Sequence, residues 1–469
     1  MRLLAEAART LIVGPARAVN PRVRVVIKYP NWYDHFQGLG FDLATGPAIL
    51  DGIYTGTETR DPLITHQHLQ AYHGYSILRY FDNVSPGRNG GGWVDTFRVR
   101  DLDRYVEQLW LTALGAAGEI TLFNFMALLA PLAEHAPAPW QDRSTSFDHR
   151  SLLATPVTRS DAPARPPTII ARAAGHALEQ TDVFRGFLGR PMGIVSYHRY
   201  ETSDEDFLES YLGMLGIPIE MTPRFPDDDR TILLTESATT DPAIVDRIER
   251  RLADGKDVLI TSGLLAALQG RGIERIAEIA ATDRKVLASA FFTDWCHTLC
   301  AGDKRVLLPR LRYLTNDSWS IVDAVDGDDG SPLLISADYL GGRFFVLAIP
   351  DSFADLYHLP EAVLGNLREV LMCGWPVRVD GPAKVALFCN DNGVFVLESF
   401  RDDPVDVRLV VDPCLTGLRN LLTGEALPAP VAAAPRVTRV SFDADARSVP
   451  VECVFPVSLR PHSFLVLGS

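Results

Sequence analysis

Glu58 is the residue whose type and position best suit chemistry. It closes the segment Gly52–Glu58, GIYTGTE, whose aromatic and β-branched content suits a strand. Side chains alternate between the two faces of a strand. Tyr54, Gly56 and Glu58 therefore share one face, and Ile53, Thr55 and Thr57 share the other. Glu58 falls at the C-terminal end, where parallel barrels place catalytic groups, and Gly56 leaves room beneath it. Arg60 follows two residues later and can hold Glu58 ionised or bind a substrate hydroxyl. A structural ion pair at a rim is the alternative.

The same reasoning places Asp82 at the end of a further strand-like segment, SILRYFDN (Ser76–Asn83). SPGRNGGGWVDTF follows and is read as a loop. Its glycines, Gly90 to Gly92, let the backbone approach a ligand or move. Trp93 offers an apolar face to a sugar ring, and Asp95 offers a hydrogen-bond acceptor. GRNGGGW matches neither the P-loop nor the dinucleotide fingerprint. After the first strand, PNWYDHFQ gathers Asn31, Trp32, Tyr33 and His35 into a polar and aromatic cluster suited to a sugar. Simple packing is the other reading of those aromatics.

Alternating elements must position these residues. VRVVIKYP (Val23–Pro30) reads as a strand, THQHLQAYHGY (Thr65–Tyr75) as a helix, LDRYVEQLWLTAL (Leu102–Leu114) as a helix and EITLFNFM (Glu119–Met126) as a strand. Four strand–helix units over residues 1–150 make half of a (β/α)8 TIM barrel; a complete four-stranded doubly wound domain is the alternative. A Pro- and Ala-rich linker spans residues 151–167. Residues 168–378 alternate again, with strands GIVSYH, TILLTES and DVLITSG, a hairpin at Pro332–Pro350, and Gly216 and Gly255 as helix stops. That order is flavodoxin-like and resembles class I glutamine amidotransferases. The turn LITSGLL (Leu259–Leu265) has no cysteine, so the nucleophilic thiolate is missing. Residues 379–469 change to short alternating segments, KVALFCN, GVFVLESF, DVRLVVD, RVTRVSF and HSFLVLG, which suit a β-sandwich.

The bulk numbers exclude several classes. A chain of 469 residues exceeds one hydrophobic core. A net charge of −14 without a basic run argues against nucleic acid. No apolar stretch is long enough to cross a bilayer as a helix. The six cysteines are too dispersed for a disulfide framework. Cys296, His297 and Cys300 in DWCHTLC lack the further ligands a metal site needs, so buried helix cysteines are expected, with no metal and no cofactor. No secretory signal opens the sequence; the compartment is unassigned, with the cytoplasm favoured.

KYPNWYDHFQGLGFD, DGIYTGTETRD and RYFDNVSPGRNGGGWVDTF, within this order of units, resemble glycoside hydrolase family 42 and the related family 164, which includes β-mannosidases. The resemblance implies a retaining β-glycosidase of β-galactosidase or β-mannosidase type, a glycoside or oligosaccharide substrate, and trimerisation through the middle domain. It implies one carboxylate as nucleophile, in the position of Glu58, and another as acid/base. It also implies that the N-terminal half of the barrel, with the acid/base, is absent from this sequence. A non-catalytic carbohydrate-binding or oligomerisation protein derived from a glycosidase is the second expectation.

Overall fold

The computed structural model describes residues 2–31, 40–59, 69–96, 102–131, 157–159, 162–165, 170–227, 229–293, 298–314, 317–327, 329–413, 415, 417–433 and 452–469. Strands Val26–Tyr29 (β1), Gly52–Gly56 (β2), Asn89–Asp95 (β3) and Glu119–Phe123 (β4) form a parallel sheet in that order. Helices His73–Val84 (α1) and Leu102–Leu114 (α2) carry the chain from β2 to β3 and from β3 to β4. Ile53 packs with Ile77 and Phe81 of α1, and Val94 packs with Val106 and Trp110 of α2. The opposite face carries Lys28, Tyr54, Gly56, Trp93 and Glu119, and the Tyr54 hydroxyl donates to Glu119 across it at 2.8 Å.

Two expectations are corrected here. His73–Val84 is a helix, so neither the helix over Thr65–Tyr75 nor the strand over Ser76–Asn83 forms as expected. Every residue from His73 to Phe81 is buried; His73, Ser76, Arg79 and Asp82 recur at helical spacing, but the β-favouring residues of SILRYF mask that period. The glycine segment is the third strand rather than a loop. Its glycines answer crowding: Tyr54 lies over Gly90, a side chain at Gly91 would overlap the Glu119 carbonyl, and one at Gly92 would overlap Thr112. The register skips Gly90 between Asn89 and Gly91, which makes it a bulge.

The second sheet has nine strands among the described residues. Ile194–Tyr197 (β5), Ile219–Thr222 (β6), Thr231–Leu234 (β7), Asp257–Thr261 (β8) and Gly342–Leu347 (β13) pair in parallel in the order β6-β5-β7-β8-β13. Numbered among themselves these run 2-1-3-4-5, the flavodoxin-type order. Antiparallel strands extend the sheet: Asp329–Tyr339 (β12), Ser318–Asp326 (β11), then the hairpin of Ile279–Thr293 (β9) and Thr298–Tyr313 (β10). Cys300 sits half-buried in β10, which corrects the expected helix; Cys296 and His297 lie outside the described residues.

Two antiparallel sheets close the chain. One joins Val377–Asp380, Val405–Val411, Glu452–Leu459 and Val431–Ala433. The other joins Arg419–Asn420, Ser463–Gly468, Phe395–Ser399, Val385–Asn390 and, from far earlier in the chain, Pro191–Met192. The expected strand RVTRVSF lies outside the described residues. One buried cluster runs from Tyr29 and Phe81 through Leu212 and Phe345 to Val407 and Phe455, tying the units together. Trp110 of α2 meets Phe464 edge to face at 5.0 Å, which docks the last strand on the first sheet's helix.

Candidate active site

The C-terminal ends of β1 to β3 bring the candidate residues to one level. Gly56 pairs with Trp93 in parallel register. Extending that register two residues past the end of β2 sets Glu58 level with Asp95. Both are buried. Alternation puts Glu58 on the face of Tyr54 and Gly56, and Asp95 on the face of Trp93. The Glu58 carboxylate folds back over Gly56: a side chain there would approach Glu58 Oε2 at 3.2 Å and the Trp93 ring at 3.1 Å. Glycine at 56 is therefore what lets carboxylate and indole lie side by side.

The backbone around Glu58 is pinned from two sides. The Asn31 side-chain amide donates to the Glu58 carbonyl, and the Thr59 N–H donates to Gln108 Oε1 of α2 at 2.8 Å. Asn31 is held in turn by His73, whose Nε2 lies 2.8 Å from the Asn31 carbonyl and whose Nδ1 lies 3.0 Å from Ser210 Oγ. Burial pushes the His73 pKa down to about 4, so the ring is neutral near pH 7. A carbonyl only accepts, so Nε2 carries the proton and Nδ1 accepts from the serine hydroxyl. Below β2, Thr112 of α2 donates to Thr57 at 2.7 Å and Thr57 donates to the Trp93 carbonyl at 3.2 Å. Beside Asp95, the Tyr105 hydroxyl is held protonated by burial and by that carboxylate.

Of the residues expected from the sequence, Asn31, Glu58, Trp93 and Asp95 come together. Tyr54 lies lower on the same face, bonded to Glu119, with the Lys28 ammonium 6.0 Å from its ring centre. Asp82 does not belong. It sits near the C-terminal end of α1, at the sheet's other edge, and pairs with Arg79 at 2.8 Å. Arg79 also clasps Glu220 of the second sheet, at 3.1 Å and 2.7 Å. Asp82 is thus part of a joint between units. Trp32, Tyr33, His35 and Arg60 lie outside the described residues. Sequence reasoning missed His73, whose only signal is its place in AYHGY. It also missed the apolar rim of Phe123, Phe125 and Met126, which are 52%, 71% and 72% exposed at the end of β4. The run FNFM was its signal. Phe123 meets Trp93 edge to face at 6.2 Å. Asn124, just past β4, caps the short helix Phe125–Leu128 by accepting from Ala127 N.

Comparison with known proteins gives this sheet a context. Residues 1–186 match the family model described as probable glycosyl hydrolase, catalytic domain, and residues 376–468 match probable glycosyl hydrolase, C-terminal domain. These are glycosyl-hydrolase-like domains. Residues 189–352 match the second domain of an uncharacterized protein, SSO3021. That protein, from Saccharolobus solfataricus, is 22% identical over 441 residues, which is 89% of this chain and 67% of SSO3021. The fold is similar to that of β-galactosidase from Bacillus circulans sp. alkalophilus, with a TM-score of 0.56 at 12% identity, over 99% of this chain and 66% of that one. It is also similar to α-L-fucosidase isoenzyme 2 from Paenibacillus thiaminolyticus, with a TM-score of 0.57 at 12% identity, over 100% and 71%. The chain thus spans about two thirds of the length of these relatives.

In the second sheet, Glu205 fills the turn after β8, the turn at which the expected amidotransferase-like order would put a nucleophile elbow. Glu205 accepts from Thr261 Oγ1 at 2.6 Å and from Glu236 N at 2.7 Å, and a side chain at Gly263 would overlap its carboxyl group. Burial pushes the Glu205 pKa up to about 7. Among the described residues, no group of three or more His, Cys, Asp or Glu is placed to hold a metal, and no helix is long and apolar enough to cross a membrane.

Proposed function

We propose that this chain carries the nucleophile side of a retaining β-glycosidase acting on terminal sugars of oligosaccharides, of β-galactosidase or β-mannosidase type. The observation that carries this reading is the grouping of Glu58, Trp93, Asn31 and Asp95 at one level of adjacent parallel strands. Glu58 is the nucleophile, Trp93 the platform for the sugar ring, and Asn31 and Asp95 the hydroxyl partners. The Trp93 indole N–H is buried with no partner among the described residues, which suits donation to a bound sugar.

A retaining mechanism needs a second carboxyl about 5–5.5 Å from the first. With Asp82 at the other edge of the sheet, Asp95 is the carboxylate left at this level. Neighbouring strands lie about 5 Å apart, which supports a second reading in which Asp95 serves as acid/base. In the first reading that group comes from outside these four strands. We further propose a homotrimer built through the second sheet. Its edge strand β10 is 16 residues long and presents Leu299 at 60% exposure. Light scattering tests this, and a monomer at micromolar concentration overturns it.

The catalytic test uses aryl β-galactosides and β-mannosides with the chain alone and with Glu58→Ala and Asp95→Asn. Turnover by the chain, lost by several orders of magnitude in both variants, favours the Asp95 reading. Turnover only when a complementary barrel segment is supplied, still lost in Glu58→Ala, favours an external acid/base. A fluorosugar that labels Asp95 overturns Glu58 as nucleophile. Saturable sugar binding without turnover in either setting would favour a carbohydrate-binding protein.

A further inference from the structure

Helix α1 is the seam between the first sheet and the second. His73, Ser76, Tyr80 and Asn83 fall on one face of it, three or four residues apart, and each meets the second unit. The Asn83 amide donates to Glu220 at 2.6 Å and to the Met221 carbonyl at 2.9 Å. The Tyr80 hydroxyl donates to the Arg199 carbonyl at 2.9 Å. Ser210 Oγ lies 3.2 Å from Ser76 Oγ and 3.0 Å from His73 Nδ1. The contact at Ser210 differs from the others because it continues toward the candidate site. It runs through the His73 ring to the Asn31 carbonyl, and through the Asn31 amide to the Glu58 carbonyl. Asn31, Glu58, His73, Ser76 and Ser210 are all buried.

The direction of this chain follows from which groups can donate. A neutral imidazole has one N–H, and Nε2 faces a carbonyl, so Nδ1 must accept. Ser210 supplies the donor, and Ser76 can donate in turn to Ser210. Without the Ser210 hydroxyl, Nδ1 loses its donor in a place water does not reach, and the ring loses a bond that opposes its rotation. The backbone that presents Ser210 is strained. Phe207, one turn earlier, holds φ 73°, in the left-handed region that side chains disfavour. Its carbonyl accepts from Ser210 N at 2.9 Å, and its ring meets the His73 ring edge to face at 5.2 Å. The strained turn into the helix Leu208–Gly213 thus sets a hydroxyl and an aromatic ring against one imidazole. Strain of this kind persists where surrounding structure imposes it, and it gathers at functional sites.

We propose that Ser210 is a positioning residue for Glu58, so that the second sheet's unit supports the candidate active site directly, through His73 and Asn31. This role rests on the reading of Glu58 as nucleophile.

The test follows the labelling of Glu58 in the full chain at pH 7 by 2-fluoro β-galactosyl and β-mannosyl fluorides, read by peptide mass spectrometry. The carboxylate forms an ester bond to the anomeric carbon, and fluoride leaves with the electrons of the C–F bond, so no proton donor is needed. Ser210→Ala and His73→Asn should slow labelling about tenfold or more, since a small misplacement of a reacting group costs rate steeply. His73→Gln, which keeps an N–H near the position of Nε2, and Ser210→Thr, which keeps the hydroxyl, should recover most of the loss. Arg79→Ala breaks the seam elsewhere on the same helix and should lower stability while labelling keeps its wild-type rate. Nitrogen-15 spectra of the wild-type histidines, with the His73 signal located by its loss in His73→Gln, should show the ring protonated on Nε2 alone. Wild-type labelling that is unchanged in Ser210→Ala and His73→Asn, or slowed as much by Arg79→Ala, overturns the role of Ser210 and leaves Glu58 as nucleophile. A proton on His73 Nδ1 does the same. No labelling of Glu58 in the wild type overturns the nucleophile reading, and the positioning role with it.

Discussion

Removing the His462 imidazole should loosen the seam between the sandwich and the first sheet, with a distinctive pH dependence. His462 contacts the buried Glu107 of α2 through Nδ1 and Asp402 through Nε2. Burial works against the charge on His462, but Glu107 and Asp402 outweigh it and raise the pKa above its ordinary 6.5. Burial likewise works against Glu107, but His462 and Arg104 outweigh it and lower the pKa below 4.5. The histidine's contribution is full below its unfolded pKa and is lost as pH rises through the raised folded value. The glutamate's is full above its unfolded pKa and is lost as pH falls through the lowered value. The pair is therefore most stabilising between about 4.5 and 6.5. Breaking a buried pair by deleting one partner costs about 3–5 kcal/mol. Arg104, 3.4 Å from Glu107 and partly exposed, recovers some of that, so His462→Ala should cost about 3 kcal/mol at pH 6. Glu107→Gln should cost less, about 1 kcal/mol, because it leaves no buried charge unpaired. Urea unfolding followed by tryptophan fluorescence suits the measurement, since Trp110 lies against Phe464, two residues beyond His462. A cost below about 1 kcal/mol at pH 6, or a gap between His462→Ala and wild type that ignores pH from 4 to 9, refutes the reasoning.

Four other outcomes follow from local contacts. Gly91→Ala should prevent soluble expression or sharply lower the melting temperature, because the new methyl group would overlap the Glu119 carbonyl and φ is 148°; a soluble variant with an unchanged melting curve would show that the β3–β4 pairing is wrong. Arg79→Ala should cost about 3 kcal/mol in urea unfolding, since it leaves Glu220 without its two-point partner, and Arg79→Lys should recover only part of this. Glu205→Gln should gain on wild type as pH rises from 4.5 toward 7, by up to about 3 kcal/mol, because the wild-type carboxyl must ionise in place as pH passes about 7; a constant difference across that range would refute it. With Glu205 filling the elbow, the chain should release no ammonia from glutamine, and a glutaminase activity abolished by mutation of this turn would show the opposite.

Part of the site was legible in the sequence because β2 obeys simple alternation. Tyr54 and Gly56 mark one face, Glu58 extends it, and the strand is short enough that its end is unambiguous. Helix α2 was equally readable, and the structure places it over the expected residues. Helix α1 is harder to read, because the β-favouring residues of SILRYF mask the helical spacing of His73, Ser76, Arg79 and Asp82. Reading α1 as a strand puts Asp82 at a strand end and makes a loop of the segment that forms the third strand. The hairpin of β9 and β10 hid for the opposite reason: its middle is mostly exposed, so a strand of 15 residues shows little apolar alternation.

The misread third strand matters most for the chemistry. Three consecutive glycines normally weaken a strand, and composition alone argues for a loop. Here each glycine marks a place where a neighbour leaves no room: the Tyr54 ring, the Glu119 backbone, and the Thr57–Thr112 pair. Such crowding is a property of three elements brought together, so no local pattern could have announced it. Once the segment is a strand, the Gly56–Trp93 pairing fixes Trp93 beside Gly56 and Asp95 level with Glu58. Asp95 thereby moves from a loop acceptor to the carboxylate nearest in register to the proposed nucleophile. Asn31 and His73 reach the same place by a different route, holding the Glu58 peptide from β1 and α1. The site is therefore set by register between strands and by a hydrogen-bond chain across elements. Substituting Gly92 or His73 should disturb Glu58 as surely as a change at position 58 itself.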